Sequence, residues 1–365
     1  MSRRISWVSA GVAGLLAVGA VTAASAMAGQ PPVAAPHWHI IKSVKTDFNG
    51  DFTAVAPTGL TTGWAFDGLG FTSAPTAWER NGSTWTKMPF PSTANEQVFT
   101  AGASSPSNVW AFLDTMGGGS TAVRWNGSKW SVMKSFPDLI GGASVLAPND
   151  IWVFGELPVP HVTTALGVWH YNGSKWTQVG KDIAGGSVLS ATDVWGFAAA
   201  SVEHWNGHTW TAASVKKLLP PVIPGPLNDP QIMGILALSD SNVYAVANGN
   251  DEDDGGPVVV LRYNGVRWSR VSGLGDFGNG PGSQFSYDGS GGLWLPMTGG
   301  DGATSFLLHF TGGKLVKTTL PVSAPTIEIG AVARIPGTHD QLAGGLTHAA
   351  GNPGSKVVAV LLQYS

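Results

Sequence analysis

Residues 108–130 read NVWAFLDTMGGGSTAVRWNGSKW. This stretch joins two signatures. The first is a small polar residue leading into an aromatic and a short apolar run, Asn108-Val109-Trp110-Ala111-Phe112. The second is Asn126-Gly127 with Trp130 four residues after the Asn. Short apolar runs bounded by turn residues are strand signals. Asn-Gly between two of them predicts a hairpin, because a type I′ turn needs φ > 0 at both central residues. The stretch therefore predicts three consecutive antiparallel strands.

The same unit recurs along the chain. The first signature returns as Thr62-Gly63-Trp64-Ala65-Phe66, Asp150-Ile151-Trp152-Val153-Phe154, Asp193-Val194-Trp195-Gly196-Phe197, Asn242-Val243-Tyr244-Ala245-Val246 and Gly292-Leu293-Trp294. Its aromatics at 64, 110, 152, 195, 244 and 294 are spaced by 46, 42, 43, 49 and 50 residues, and a weaker copy fits at Gln341-Leu342-Ala343-Gly344. The second signature returns at Asn81-Gly82, Asn172-Gly173, Asn206-Gly207 and Asn264-Gly265, with a decayed copy at Thr311-Gly312. Units of this length built from short strands predict a β-propeller. A Gly/Ala/Ser-rich segment such as Phe99-Thr100-Ala101-Gly102-Ala103 precedes each aromatic run and reads as the innermost strand, where small residues suit the crowding at the axis.

The last unit ends in Val357-Val358-Ala359-Val360-Leu361-Leu362-Gln363-Tyr364, which matches a third strand and leaves the fourth missing. His37-Trp38-His39-Ile40-Ile41-Lys42-Ser43-Val44 reads as that strand. The expectation is an all-β, seven-bladed β-propeller of four-stranded antiparallel blades, closed by the N-terminal strand. Its units span about 47–91, 95–137, 139–181, 182–220, 229–273, 281–321 and 325–365 plus 37–45.

Ahead of this single domain, residues 1–28 carry Arg3 and Arg4, a Gly/Ala-rich apolar stretch and small-x-small motifs at Ala24-Ser25-Ala26 and Ala26-Met27-Ala28, the pattern of a secretory signal peptide. The stretch is too poor in strongly apolar residues for a retained span. Residues 29–36 read as a Pro/Ala leader. The expected product is secreted, extracellular and monomeric. With no Cys among 365 residues, a disulfide scaffold, a thiolate metal site and a cysteine nucleophile are excluded. A net charge of −3, without a basic stripe or a Gly-rich phosphate loop, speaks against nucleic acid, nucleotide and anionic lipid.

Sixteen Trp invite a sugar-stacking reading, but the repeat absorbs all of them except Trp7. Trp64, Trp110, Trp152, Trp195 and Trp294 hold the second-strand position. Trp38, Trp85, Trp130, Trp176, Trp210 and Trp268 hold the fourth-strand position, while Trp78, Trp125, Trp169 and Trp205 lie on third strands. Rings at equivalent places in successive units imply packing between units. At these residues the chain resembles secreted actinobacterial propellers with DVWAVG…WNG-S-W repeats, grouped loosely with kelch and galactose-oxidase-like propellers. The resemblance implies blades and no particular chemistry. A galactose-oxidase copper site needs a Cys-linked Tyr, which this chain cannot form.

Candidate site residues come from position. A carboxylate stands at or just before the inner strand of six units: Asp51, Glu96, Asp138, Asp182, Asp229 and Glu328, with Gln284 in the remaining one. In a propeller they would ring one mouth of the channel as ligand-binding candidates. Carboxylates there suit Ca²⁺, or a general acid/base pair for glycoside cleavage, and equally suit polar loops. The acidic run Asn250, Asp251, Glu252, Asp253 and Asp254 is the candidate metal site. It matches the opening of an EF-hand loop but has Leu261 where the closing Glu belongs. His37 with His39, and His204 with His208, each supply two imidazoles and lack a third ligand. No cofactor is required, and Ca²⁺ is the one that would fit. The function expected is a non-catalytic binding or scaffold protein with its partner, an envelope glycan or an extracellular protein, on the loop-bearing mouth. The rival is an extracellular carbohydrate-active enzyme using two mouth carboxylates.

Overall fold

The computed structural model describes residues 35–45, 50–68, 73–155, 166–222, 229–249, 257–276, 279–281, 284–298, 305–321, 326–348 and 357–365. They belong to the unit Pro36–Ser365, apart from Ala35. Strand β1 (Trp38–Lys45) comes first. It is followed by the meander β2 (Asp51–Gly59), β3 (Thr62–Gly68), β4 (Thr76–Asn81) and β5 (Thr84–Met88), and then by β6 (Glu96–Ser105), β7 (Asn108–Thr115), β8 (Ser120–Trp125) and β9 (Trp130–Phe136). Next are β10 (Ile140–Ala147), β11 (Asp150–Gly155), β12 (Val168–Tyr171) and β13 (Trp176–Gly180), and β14 (Ala184–Ser190), β15 (Asp193–Ala198), β16 (Ser201–Trp205) and β17 (Trp210–Ser214). A single-turn 3₁₀ helix, Lys216–Leu218, precedes β18 (Gln231–Ser239), β19 (Asn242–Asn248), β20 (Pro257–Tyr263), β21 (Trp268–Arg270) and β22 (Gly275–Asp276). The chain continues through β23 (Asn279–Pro281), β24 (Ser286–Tyr287), β25 (Leu293–Thr298), β26 (Ser305–Thr311) and β27 (Lys314–Lys317) to β28 (Thr326–Arg334), β29 (Gln341–His348) and β30 (Val357–Tyr364).

The architecture is an all-β propeller of antiparallel meanders, but the expectation of seven separate four-stranded blades is corrected. Hydrogen bonding forms five separate sheets of four or five strands and one sheet of eight. In the eight-stranded sheet β11 lies beside β14 through a single parallel pair, Gly155 with Ala184. The cause is backbone pairing at the seam: the end of β11 runs beside the start of β14, and the one bridge from Gly155 to Ala184 joins two meanders into a single sheet. The sheet of β25 also departs from four strands, because its inner strand is broken into β23 and β24.

The Asn-Gly hairpins differ from the expected turn. Among described non-Gly residues only Asn95, Asp182 and Ala199 have positive φ, so none of the hairpin Asn residues does. The turn is instead centred one residue later. Gly127 (φ 96°) and Ser128 form the tip, while Asn126 pairs with Lys129 and its Oδ1 accepts from the Ser128 and Lys129 amides at 3.0 Å each. Asn is therefore a side-chain cap and Gly alone supplies φ > 0. The Gly is also required sterically, since a Cβ on Gly173 would approach Asn149 Cβ to 2.7 Å.

Second-strand aromatics pack across sheets. Trp64 lies 4.8 Å and 5.0 Å from the rings of Trp125 and Trp130 in the next sheet. Trp110 does the same with Tyr171 and Trp176, and Trp195 with Tyr263 and Trp268. The last such contact uses the first strand: Trp294 meets Trp38 edge-on at 5.3 Å and Tyr364 at 5.1 Å. β1 pairs antiparallel with β30 from Trp38↔Tyr364 to Lys45↔Val358, and Lys42 lies over the Trp78 ring of the following sheet. Trp38 is 3% exposed. Replacing Trp38 with Ala should cost about 3–5 kcal/mol, the range for truncating a buried aromatic, read as a lowered midpoint in urea unfolding. A loss under about 1 kcal/mol would show that β1 is not a structural member of the ring.

Candidate functional site

Six inner strands carry a β-bulge at one register, between Phe52/Ala54, Val98/Thr100, Ile140/Gly142, Ala184/Gly186, Ile232/Gly234 and Ile329/Ala331. A bulge re-aims the extra residue out of the ladder. The extra residues are therefore Thr53, Phe99, Gly141, Gly185, Met233 and Gly330, of which only Phe99 and Met233 are bulky. The outcome is a cavity of about 620 Å³, bordered by β6, β10, β14, β18, β24 and β28. Gly141, Gly142, Gly185 and Gly186 form one wall as bare backbone, while Phe99, Met233 and Phe285 supply apolar surface. Glycine is required at two points of the lining: a Cβ on Gly186 would come within 2.2 Å of Phe154, and one on Gly234 within 2.3 Å of Phe285.

Gln284 explains why the cavity excludes β2. Its side-chain Nε2 donates to Thr100 Oγ1 (3.1 Å) and the Ala101 carbonyl (2.9 Å) of β6. Its Oε1 accepts from the Val55 amide of β2 at 3.4 Å, and its backbone bridges to Ala331 of β28. One residue of the broken inner strand thus ties three other inner strands together, two through its side-chain amide and one through its backbone. The unit that breaks the carboxylate pattern is the one that partitions the channel.

The six sequence-identified carboxylates do not line this cavity. Asp51 opens β2 opposite Gly68, and Glu328 lies in β28 opposite Leu346. These two are brought together: burial, with the charges of Glu328 and Asp67 added, pushes the Asp51 carboxyl up to about 7 against the pull of its own backbone amide. Asp67 itself accepts from Trp78 Nε1 at 2.9 Å and from the Thr76 amide at 3.1 Å. Glu96 caps the turn before β6, accepting from the Thr93 amide and hydroxyl. Asp138 is half-buried, and its carbonyl accepts from Ser120 Oγ. Asp182 is exposed with φ 56°, a turn residue, and Asp229 is exposed ahead of β18. The acidic run Asn250, Asp251, Glu252, Asp253 and Asp254 lies outside the described residues. Among the described residues no group of three or more His, Cys, Asp or Glu is placed to hold a metal.

The histidines serve the sheets. Asp150 Oδ1 lies 2.9 Å from His170 Nε2 and 2.7 Å from Trp152 Nε1, and the Trp152 and His170 rings stack at 4.3 Å. Asp193, His204 and Trp195 repeat the Asp–His pair and the stack, as do Asp288, His309 and Trp294. Where the turn residue is Asn, the facing third-strand residue is Arg: Arg262 donates to Asn242 and lies over Tyr244, and Arg124 lies over Trp110, whose indole donates to Asn108. His204 is thereby committed to Asp193, and His208 is exposed in the adjoining hairpin.

Sequence reasoning did not single out Phe99, Met233, Phe285, Gln284 or Arg334 as cavity residues. One signal was present, the pair Gly141-Gly142 recurring at Gly185-Gly186 after 44 residues, one repeat period.

Two pH responses follow. Because the folded pKa of Asp51 is raised above the ordinary Asp value, the fold holds its proton, and stability is lost as pH rises from about 4 through about 7. Asp51→Asn should therefore match wild type near pH 4 and exceed it by about 2–4 kcal/mol near pH 8.5 in denaturant titrations. Asp288 goes the other way. Burial pushes its carboxyl up, but hydrogen bonds from His309, the Ser290 amide and the Gly292 amide outweigh that and hold it below the usual range. Its contribution is present above the ordinary Asp pKa and is lost as pH falls through the lowered one. Asp288→Asn should cost about 1.5–3 kcal/mol at neutral pH, a difference that narrows in acid. A constant difference across the pH range would contradict the assignment.

No protein-family model matches the sequence, and no curated protein matches it. Solved structures do. The chain is similar to YCF48 bound to a D1 peptide (12% identity, TM-score 0.56, covering 92% of this chain and 98% of that one). It is similar to the GH74 enzyme of Niastella koreensis (13% identity, TM-score 0.55, 86% of this chain and 55% of that one). It is also similar to the WD40 β-propeller domain of Doa1 (12% identity, TM-score 0.53, 89% and 96%). At these identities the likeness shows the fold alone: the chain is a β-propeller.

Proposed function

We propose that this protein is an exported, non-catalytic β-propeller of the secreted actinobacterial kind, which captures a ligand or partner at its channel. The observation that carries the reading is the cavity of about 620 Å³, within the size range of small-ligand sites, walled by bare glycine backbone and a few aromatic and Met side chains. Bulges conserve its register around the ring while side-chain size varies, so the ring builds the recess and three bulky residues shape it. Export rests on the N-terminal pattern: Arg3 and Arg4, the apolar stretch, and the small-x-small motifs ending at Ala28.

The sequence expectation placed the partner on the mouth carboxylates, whereas the cavity provides a site that those acids do not line. Among the neighbours, YCF48 is bound to a peptide, which agrees with capture by a propeller without deciding the partner here. A second reading, glycoside cleavage, is favoured only by the Asp51–Glu328 neighbours, where a protonated acid stands beside a second carboxylate.

Secreted from its native reading frame, the protein should appear in the medium beginning just after Ala28 by N-terminal sequencing. Retention of residues 1–28 inside the cell would overturn export. The recovered chain, applied to glycan and peptide arrays with Ca²⁺ and with chelator, should retain ligands that Gly142→Leu abolishes. A Cβ at Gly142 meets only ordinary contacts, at 3.7 Å and 3.9 Å, so a side chain can start from that point of the wall, and circular dichroism checks that the variant folds. Retention that Gly142→Leu leaves unchanged would overturn the channel as the site. Oligosaccharide hydrolysis abolished by Asp51→Asn would replace the reading with the catalytic one.

A further inference from the structure

From the chemistry of the same cavity, and resting on the binding reading above, we infer that its ligand is a singly charged organic carboxylate with an apolar body. The charge balance of the walls points there. The chain carries 23 Asp+Glu against 20 Lys+Arg, yet the described residues that line the cavity include one cation, Arg334, and no carboxylate. Arg334 ends β28. Its Nε donates to the Thr338 carbonyl at 2.6 Å and its guanidinium lies 5.5 Å from the Tyr287 ring centre. Those two contacts fix the plane of the fork. The three Asp-containing ion pairs of the described residues all use His, so no described carboxylate neutralises Arg334. Its two terminal nitrogens have no protein hydrogen-bond acceptor among the described residues.

A half-buried guanidinium with a fixed plane and an unused pair of N–H donors matches a carboxylate in two-point geometry. The charge state of the ligand follows from there being one cation. A phosphate monoester carries between one and two negative charges near neutral pH, and the described lining residues offer no second cation to meet it. The body of the ligand follows from the remaining surface. Phe99, Met233 and Phe285 are apolar, and the glycine wall accepts a flat group in close contact because nothing projects from it. The acid is free or is the C-terminus of a peptide; both present the same carboxylate.

The test uses the full secreted chain and pairs of probes that differ only in charge: N-acetyl-phenylalanine with its amide, and the tripeptide Ala-Ala-Phe with its C-terminal amide, followed by calorimetry. The acid of at least one pair should bind about tenfold or more tightly than its amide, the value of a charged hydrogen bond. Which pair binds separates the free acid from the peptide source. Arg334→Gln should erase the preference and Arg334→Lys should keep part of it, the charge surviving without the fork. Circular dichroism on each variant confirms the fold. Equal affinity for acid and amide in the wild type, or an unchanged preference in folded Arg334→Gln, would overturn the inference. So would absence of binding by all four probes at millimolar concentration. If these probes fail while an array ligand is still lost in Gly142→Leu, the ligand class falls and the channel reading stands. If Gly142→Leu changes nothing on the arrays, both fall.

Discussion

Everything in this molecule depends on an aromatic ring of one sheet lying against the third- and fourth-strand rings of the next. A four-stranded meander cannot bury its own faces; it acquires a core only from its neighbours. Trp64 on Trp125 and Trp130, Trp110 on Tyr171 and Trp176, and Trp195 on Tyr263 and Trp268 are the same contact made repeatedly. The Asp–His and Asn–Arg pairs beneath those rings set their orientation: an acid at the turn pairs with an imidazole stacked on the Trp, and an amide pairs with a guanidinium over the ring. The acid gives each imidazole a partner, and Asn242 gives one to Arg262, whereas Arg124 Nε and the indole N–H groups of Trp195 and Trp294 are buried without one.

Two regular features carry the site. The shared bulge register sets one extra residue on each of six inner strands, and four of these, Phe99, Gly141, Gly185 and Met233, line the cavity, where their size decides how far it is filled. Gly141 and Gly185 leave it open, Phe99 and Met233 close it partly, and Gln284 crosses it. The recess is therefore a local irregularity in a repeating frame. That arrangement separates the residues that hold the ring together from the residues that make the site.

The repeat was legible because its signals are local: an aromatic run, an Asn-Gly, a spacing. The strand order followed from it, including β1 beside β30. What the sequence did not disclose depended on geometry across units. That two meanders merge through Gly155 and Ala184 requires knowing that the end of a second strand lies beside the start of the next inner strand. That the turn centres on Gly-Ser requires weighing an Asn side-chain cap against the left-handed backbone. The carboxylates were a true positional pattern with varied fates: Glu96 caps a turn, Asp182 turns the chain, and only Asp51 and Glu328 share a neighbourhood. Arg334 was invisible because its significance is the lack of an acid partner among the described residues, which no linear pattern states.

The strand pair β1–β30 bears on the order of events in folding. It joins Trp38 to Tyr364, so the contact that completes the ring spans nearly the whole chain and closes the largest loop available. Until Tyr364 has been synthesised, β1 has no partner and its row of amides is an open edge. A chain built this way assembles its internal sheets early and its final seam late, and non-local pairing of this kind is slow. During that interval the half-built ring is most exposed to pairing with another copy of itself.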